Sequence, residues 1–183
     1  MKIYPLRLQI FVKFIVILFI CLNISTGKIK SEQKDTIFSS KNTFYIDFCT
    51  KGAFYSINYD RIFYGKNRIY LTYRFGFSIL TDAIAFPVGI NLFTGKKNSH
   101  LEYSLTVVPY IDHYKSLGSD NDLSDKYLYV IPGLGYRFQK PKGGFFIKAV
   151  ISPTIFLDPP SDDFWNMDPK LYFTANMGIG LTF

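Results

Sequence analysis

Residues that could take part in catalysis gather in one polar stretch of the chain. His113, Ser116, Ser124 and Asp125 supply the imidazole, hydroxyl and carboxylate groups that a lipid hydrolase combines as base, nucleophile and orienting acid. A working nucleophile must lie beside its base, and these four residues show no recognisable spacing for that arrangement. The pattern therefore favours a polar loop over a catalytic centre.

The same stretch also offers oxygen ligands for a hard cation. These ligands are the side chains of Asp120, Asn121 and Asp122, together with Asp125. The glycine and the terminal glutamate of an EF-hand are missing, so a solvated acidic loop is favoured. Divalent cations that bridge such a loop to anionic surface lipids are the alternative. The two histidines of the chain stand apart from each other, and the sequence predicts no metal site and no cofactor.

A second group of charged residues lies within apolar, alternating segments. Asp60 is followed by Arg61, and Arg74 and Glu102 occupy similar positions in later segments. A path for protons or ions is one interpretation of these charges. Pairing inside a closed fold is the favoured one, because buried charges need partners.

The elements that hold these residues are predicted to be β-strands. Apolar residues recur at every second position, and turn residues separate the alternating segments. The clearest example puts Ile69, Leu71, Tyr73, Phe75 and Phe77 on one face of a single strand. Eight such strands are predicted: Thr43–Cys49, Ala53–Phe63, Arg68–Ser78, Ile84–Phe93, His100–Asp112, Tyr127–Phe138, Phe145–Leu157 and Leu171–Phe183.

The connections between these strands alternate in length. Three are short and basic, at residues 64–67, 95–98 and 139–144, whereas residues 113–126 and 158–169 form long acidic loops. Short turns at one end and long loops at the other are typical of outer-membrane barrels. Two further connections, which fall on the long-loop end, are short and break this trend.

The composition of the two faces distinguishes a membrane barrel from a soluble one. Aromatic residues make up 19% of the chain, a high fraction that suits membrane-interface girdles. The charged residues share the face opposite the aliphatic ones, and eight strands enclose only a narrow interior. We therefore predict an apolar exterior and a polar lumen network, with a secreted soluble barrel as the alternative. The predicted network comprises Asp60, Arg74, Glu102, Arg137 and Lys148.

The amino-terminal segment is typical of an export signal. Three basic residues precede a short apolar run, Phe14–Leu22, and small residues follow at 25–27. We predict a signal peptide at residues 1–27, a flexible periplasmic leader at 28–42 and the barrel at 43–183. Without the three basic residues of the signal, 18 of the 21 basic residues remain against 14 acidic ones, which gives a net charge of +4. This small charge gives little reason to expect nucleic-acid binding. Only Cys49 then remains, which excludes an intrachain disulfide.

Four segments resemble small, uncharacterised outer-membrane barrels of Bacteroidota-type bacteria. They are Phe54–Phe63 (FYSINYDRIF), Phe86–Asn91, Gly133–Arg137 and Lys142–Ala149. The resemblance covers roughly residues 44–183. It implies an outer-membrane location and a barrel architecture but no activity and no catalytic residues. The terminal Phe183, after an alternating strand, likewise resembles the signal read by the barrel assembly machinery.

Four consecutive strands each contain a proline in the half nearer the long loops: Pro87, Pro109, Pro132 and Pro153. Because proline lacks the N–H that a β-ladder needs, it is normally found at edges or bulges. Bulges that bend the wall are the favoured interpretation. The alternative is weakened strand pairing that admits a lipid tail or another apolar ligand from the side.

The sequence as a whole predicts an all-β, eight-stranded, antiparallel up-and-down transmembrane β-barrel in the cell outer membrane. Its expected partners are outer-membrane lipids and, during insertion, the assembly machinery. A non-enzymatic role in envelope anchoring or surface interaction is favoured, with a lipid-modifying enzyme or lipid carrier as the alternative. The oligomeric state is left open.

Overall fold

A computed structural model of the chain describes residues 38–48, 54–113, 125–157 and 170–183. The predicted signal peptide, Cys49 and most of both long loops lie outside these ranges. No helix among the described residues is long and apolar enough to cross a membrane. The described residues form nine strands: β1 (Asn42–Phe48), β2 (Tyr55–Lys66), β3 (Ile69–Ile79), β4 (Ala83–Ala85), β5 (Val88–Lys96), β6 (Ser99–Asp112), β7 (Asp125–Gln139), β8 (Gly144–Leu157) and β9 (Lys170–Thr182).

These strands close into one antiparallel barrel. Strands that follow one another in sequence pair, except β4 and β5, and β1 also pairs with β9. The short β4 and the longer β5 lie end to end and share the same two neighbours, β3 and β6, so together they form one barrel strand. The predicted eight-stranded antiparallel barrel is therefore confirmed.

The two ends of the barrel sheet meet at the short-turn end. The N–H of Asn42 donates to the carbonyl of Phe183 (3.0 Å), and the N–H of Phe183 donates to the carbonyl of Asn42 (2.8 Å). The register then runs from Phe44 opposite Leu181 to Phe48 opposite Met177. Closure leaves neither β1 nor β9 with an unpaired edge.

The alternation of side chains gives the barrel an apolar outer surface. Phe75, Leu105 and Ile179 face outward and are 51%, 45% and 40% exposed, whereas Arg74 faces the lumen and is 4% exposed. Between the strand ends, the outward positions of β3 to β9 carry no charged residue. Arg61 in β2 is the exception among the described residues, and it lies opposite Asn42, the first residue of β1.

The lumen is filled in layers. Phe38, Ile62, Tyr70 and Phe93 form a buried apolar cluster near the short-turn end. Ala85, Val108 and Ile131 form a second cluster toward the long-loop end, and a layer of charged side chains lies between the two. Eight strands leave room for little besides such side chains.

Residues 38–42, which the sequence assigned to a flexible leader, are instead held against the barrel. The ring of Phe38 is buried and lies 4.6 Å from that of Tyr70, centroid to centroid. The N–H groups of Ser39 and Ser40 both donate to the carbonyl of Pro141, and Asn42 already belongs to β1. The buried ring of Phe38, just before β1, therefore holds this segment in the lumen.

Candidate functional site

Six charged side chains from six different barrel strands meet in the middle of the lumen. Each of them points inward, because it lies an even number of residues from the other buried residues of its strand, and side chains at that spacing share one face. All six are at most 4% exposed: Asp47, Asp60, Arg74, Glu102, Arg137 and Lys148. Three cations and three anions make this layer electrically neutral.

Arg137 is the centre of one half of the network. Its Nη1 donates to Asp60 Oδ2 at 2.8 Å and to Glu102 Oε2 at 2.9 Å. Its Nε donates to Gln139 Oε1 at 2.6 Å. The guanidinium carbon lies 4.4 Å from the ring centroid of Phe93, within the range of a cation–π contact. Arg137 is thus held by both charge and packing.

Asp47 joins the other half. Arg74 Nη2 donates to Asp47 Oδ2 at 2.8 Å, and Lys148 Nζ lies 3.7 Å from the same oxygen. Lys148 Nζ also lies 3.5 Å from Glu102 Oε1, which links the two halves. The ring of Tyr45 lies beside both cations, 4.8 Å from Lys148 Nζ. Every charge of the network therefore has an opposite charge within 4 Å.

The five residues of the predicted polar network are all brought together, but two of the pairs considered from sequence are not formed. Asp60 pairs with Arg137, while its sequence neighbour Arg61 points to the outer surface. Arg74 pairs with Asp47 instead of Glu102. Which residues meet depends on the order of strands around the barrel, which alternation alone does not specify.

Two buried titratable residues of the lumen lie outside the predicted network. Asp47 accepts from Arg74, and its place on the polar face of β1 was the only sequence signal for it. His100 is buried, with Nε2 3.2 Å from the carbonyl oxygen of Gln139 and its ring 5.0 Å from that of Phe93. The isolated position of this histidine in the sequence gave no indication of burial.

A cavity of about 10 Å³ lies on the long-loop side of the charges. This volume is close to what a single water molecule requires. Arg74, Lys148, Ser104, Thr106, Ser152 and Asn176 supply most of its polar lining, and Ile131 and Val150 complete it. Together with the apolar clusters, these side chains fill much of the lumen in the described ranges.

The four prolines form no bulges in the described ladders. Wherever a described ladder includes one of them, its register is continuous, and the bulge in the β2–β3 ladder lies elsewhere, between Ile62 and Tyr64. Pro87 and Pro109 each accept a ladder hydrogen bond, from the N–H groups of Gly76 (2.8 Å) and Phe86 (3.0 Å). The expected bulges at the prolines are therefore absent from the described barrel.

Pro132 and Pro153 produce a different feature. The β7–β8 ladder includes Val130 opposite Ile155 and resumes at Leu134 opposite Ile151. Because the register is unchanged across the interruption, Pro132 lies directly opposite Pro153. Two facing residues without an N–H explain why three successive residue pairs drop out of the ladder.

The residues first considered for catalysis lie at the long-loop rim. His113 has a left-handed backbone (φ 53°), and its N–H donates to Asp112 Oδ1 at 3.1 Å. Asp125 begins β7. Ser116, Ser124 and the segment 120–122 lie outside the described residues. Within the described ranges, no group of three or more metal-ligand side chains comes together.

Comparisons with known proteins identify no relative: no family model, no curated protein and no solved structure matches the chain. The resemblance to small Bacteroidota-type barrels therefore stays a prediction.

Proposed function

We propose that the chain is an integral outer-membrane β-barrel protein with a closed, charge-paired lumen, and that it acts without catalysis as an envelope anchor or surface interaction module. The apolar exterior carries this proposal. Aliphatic and aromatic side chains cover most outward positions of the barrel strands, and many are around half exposed. A soluble monomer rarely exposes a contiguous apolar patch of more than a few hundred Å².

The strand lengths and the contents of the lumen support the same proposal. Strands β6 to β9 have 13 to 15 residues, more than the roughly 9–11 needed to cross a bilayer at a tilt. A soluble barrel that carries a hydrophobic ligand has an apolar interior, whereas this lumen contains six buried charges. The apolar exterior thus suits contact with lipid. Inside the barrel, the charged groups are stabilised by pairing with one another instead of by water.

Membrane fractionation combined with gel migration tests the location. We expect the protein in the outer-membrane fraction, and we expect unheated and boiled samples to migrate differently because the closed barrel resists detergent. Recovery in the soluble fraction would contradict the proposal. Planar bilayer recordings test the closed lumen, for which we expect no currents of porin size, and regular porin-sized steps would show an open lumen.

The gap between β7 and β8 favours a second candidate, lateral entry of a lipid tail as part of lipid modification or transport. Ile131 and Ser152, which lie at the positions missing from the β7–β8 ladder, also line the small cavity. The cavity would have to widen greatly, since about 10 Å³ accommodates one water molecule and not an acyl chain. This requirement makes the closed barrel the better supported function.

A pair of engineered disulfides tests lateral entry. Ile131→Cys with Thr154→Cys joins residues that face each other across the gap, and Leu134→Cys with Ile151→Cys joins an intact ladder pair as a control. Uptake or modification of a labelled phospholipid by the protein in lipid vesicles is measured with each disulfide oxidised and reduced. Lateral entry requires activity that only the gap disulfide blocks. Equal activity in both oxidised variants, or no activity at all, would remove this candidate.

A further inference from the structure

An aromatic cluster lines one side of the lumen at its long-loop end. Tyr110 of β6 lies opposite Tyr127 of β7, and Tyr129 of β7 lies opposite Phe156 of β8. Their ring centroids are 5.1 to 6.1 Å apart, so the four rings form a continuous surface across three strands. We call these four residues the aromatic wall.

Neither the outer surface nor the packed core accounts for the aromatic wall. Its residues occupy the lumen-facing positions of their strands, so they are not part of the outward apolar surface. Tyr110 and Tyr129 pack against the buried cluster of Ala85, Val108 and Ile131. All four rings nevertheless stay partly exposed. The aromatic wall therefore packs against the buried cluster on one side and retains exposed ring surface that a ligand could contact.

Two carboxylates adjoin the wall on the same side. Asp112 and Asp125 lie directly opposite each other, two residues beyond the facing pair Tyr110 and Tyr127. Two residues along a strand correspond to about 7 Å. No ion pair to either carboxylate is formed by a described residue. Like charges in facing positions destabilise a ladder, and a bound cation would relieve that repulsion.

We propose that the aromatic wall binds an organic cation of the quaternary ammonium class, such as a choline group, with Asp112 and Asp125 supplying the opposite charge. The faces of aromatic rings attract cations within about 6 Å, and quaternary ammonium groups are the ligands for which proteins most often use several rings together. A hard metal ion fits less well, because rings provide no oxygen ligands to fill its coordination shell. This inference goes beyond the proposed function and does not depend on it, since the wall faces the barrel axis in any solvent.

Calorimetric titration of the full-length protein with choline tests the proposal. The protein is folded in an uncharged polyoxyethylene detergent, because phosphocholine detergents would occupy the site and maltosides would compete as sugars. We expect a dissociation constant on the order of 1 mM, which corresponds to a few cation–π contacts and partly screened charges. The neutral isostere 3,3-dimethylbutanol, which has the same shape without the charge, should bind at least about tenfold more weakly.

Variants of one tyrosine separate the ring face from the hydroxyl group. Tyr129→Leu should weaken choline binding about threefold to tenfold, because it removes one ring, and Tyr129→Phe should leave binding nearly unchanged. Tyr136→Leu is the matched control, since Tyr136 lies on the same strand but faces outward, 47% exposed. Asp112→Asn tests the charge and should also weaken binding. Heat-dependent gel migration shows which variants are folded, and the wild-type comparison of choline with its isostere needs no variant.

Several results would overturn the proposal. Absence of choline binding at about 50 mM would exclude a useful site. Equal binding of choline and 3,3-dimethylbutanol would reduce the wall to a general apolar surface. Loss of binding in Tyr129→Phe, or tighter binding of a neutral sugar such as glucose than of choline, would indicate a hydroxyl-directed saccharide site instead. Equal weakening by Tyr129→Leu and Tyr136→Leu would show that the effect does not come from the wall.

Discussion

Replacing Arg137 with methionine removes the central cation of the lumen while keeping a side chain of comparable length. Arg137 is 1% exposed and donates to Asp60 and Glu102 at 2.8 and 2.9 Å. Without it, three buried carboxylates face two cations, Arg74 and Lys148. Glu102 keeps Lys148 at 3.5 Å, but Asp60 loses its only ion pair within the described residues.

The expected loss of unfolding free energy is about 3–5 kcal/mol, the range for removing one partner of a buried ion pair. This range agrees with the loss of two charge-assisted hydrogen bonds at roughly 1.5–3 kcal/mol each. Arg61→Met is the matched control, because Arg61 is an exposed arginine and its replacement should change stability by less than about 0.5 kcal/mol. Removing Asp60 as well, in Arg137→Met with Asp60→Asn, restores charge balance and should recover part of the loss.

Urea unfolding of the refolded protein in micelles or lipid vesicles, followed by circular dichroism, measures these differences. With a slope of about 2 kcal/mol/M, Arg137→Met should lower the unfolding midpoint by about 2 M. A shift no larger than that of Arg61→Met would refute the reasoning. It would mean that water solvates the charges, so that the lumen would have to be open and not packed.

Three further predictions concern the outer surface, the closure and the amino-terminal contact. In lipid vesicles, Leu105→Arg should lower the free energy of unfolding by about 2–4 kcal/mol, whereas Ile111→Arg, near the end of the same strand, should lower it by about 0–1 kcal/mol. Urea unfolding measures both values, and equal losses would contradict a lipid-facing exterior. Gly180→Ala should lower the free energy of unfolding by about 1–3 kcal/mol or block closure of the barrel, because the added methyl group overlaps the β1 backbone. Normal heat-dependent gel migration with unchanged stability would argue against that packing. Phe38→Ala should lower the free energy of unfolding by about 3–5 kcal/mol, whereas the control Ser39→Ala, at an exposed residue, should change it little. Similar unfolding midpoints for the two variants would show that Phe38 does not fill the lumen.

Much of the barrel could be predicted because strand alternation is a local property. Apolar residues at every second position identify the strands and divide their side chains into two faces, as in β3, where Phe75 and Arg74 point in opposite directions. The strand boundaries agree with the sequence to within about three residues, and the interrupted strand β4–β5 marks the only substantial difference among the described residues. The break falls at Phe86 and Pro87, where a missing N–H interrupts the ladder.

The sequence by itself determined that the chain alternates, that its charges share one face, and that eight strands would leave little space inside. Only the tertiary structure decided which charges meet, because closing the barrel brings Arg137 of β7 to Asp60 of β2 and Lys148 of β8 to Asp47 of β1. It also placed Pro132 opposite Pro153 and gathered the aromatic wall, since both depend on the register between strands. Alternation repeats every two residues along one strand, whereas register is a relation between strands and is fixed only when the barrel closes.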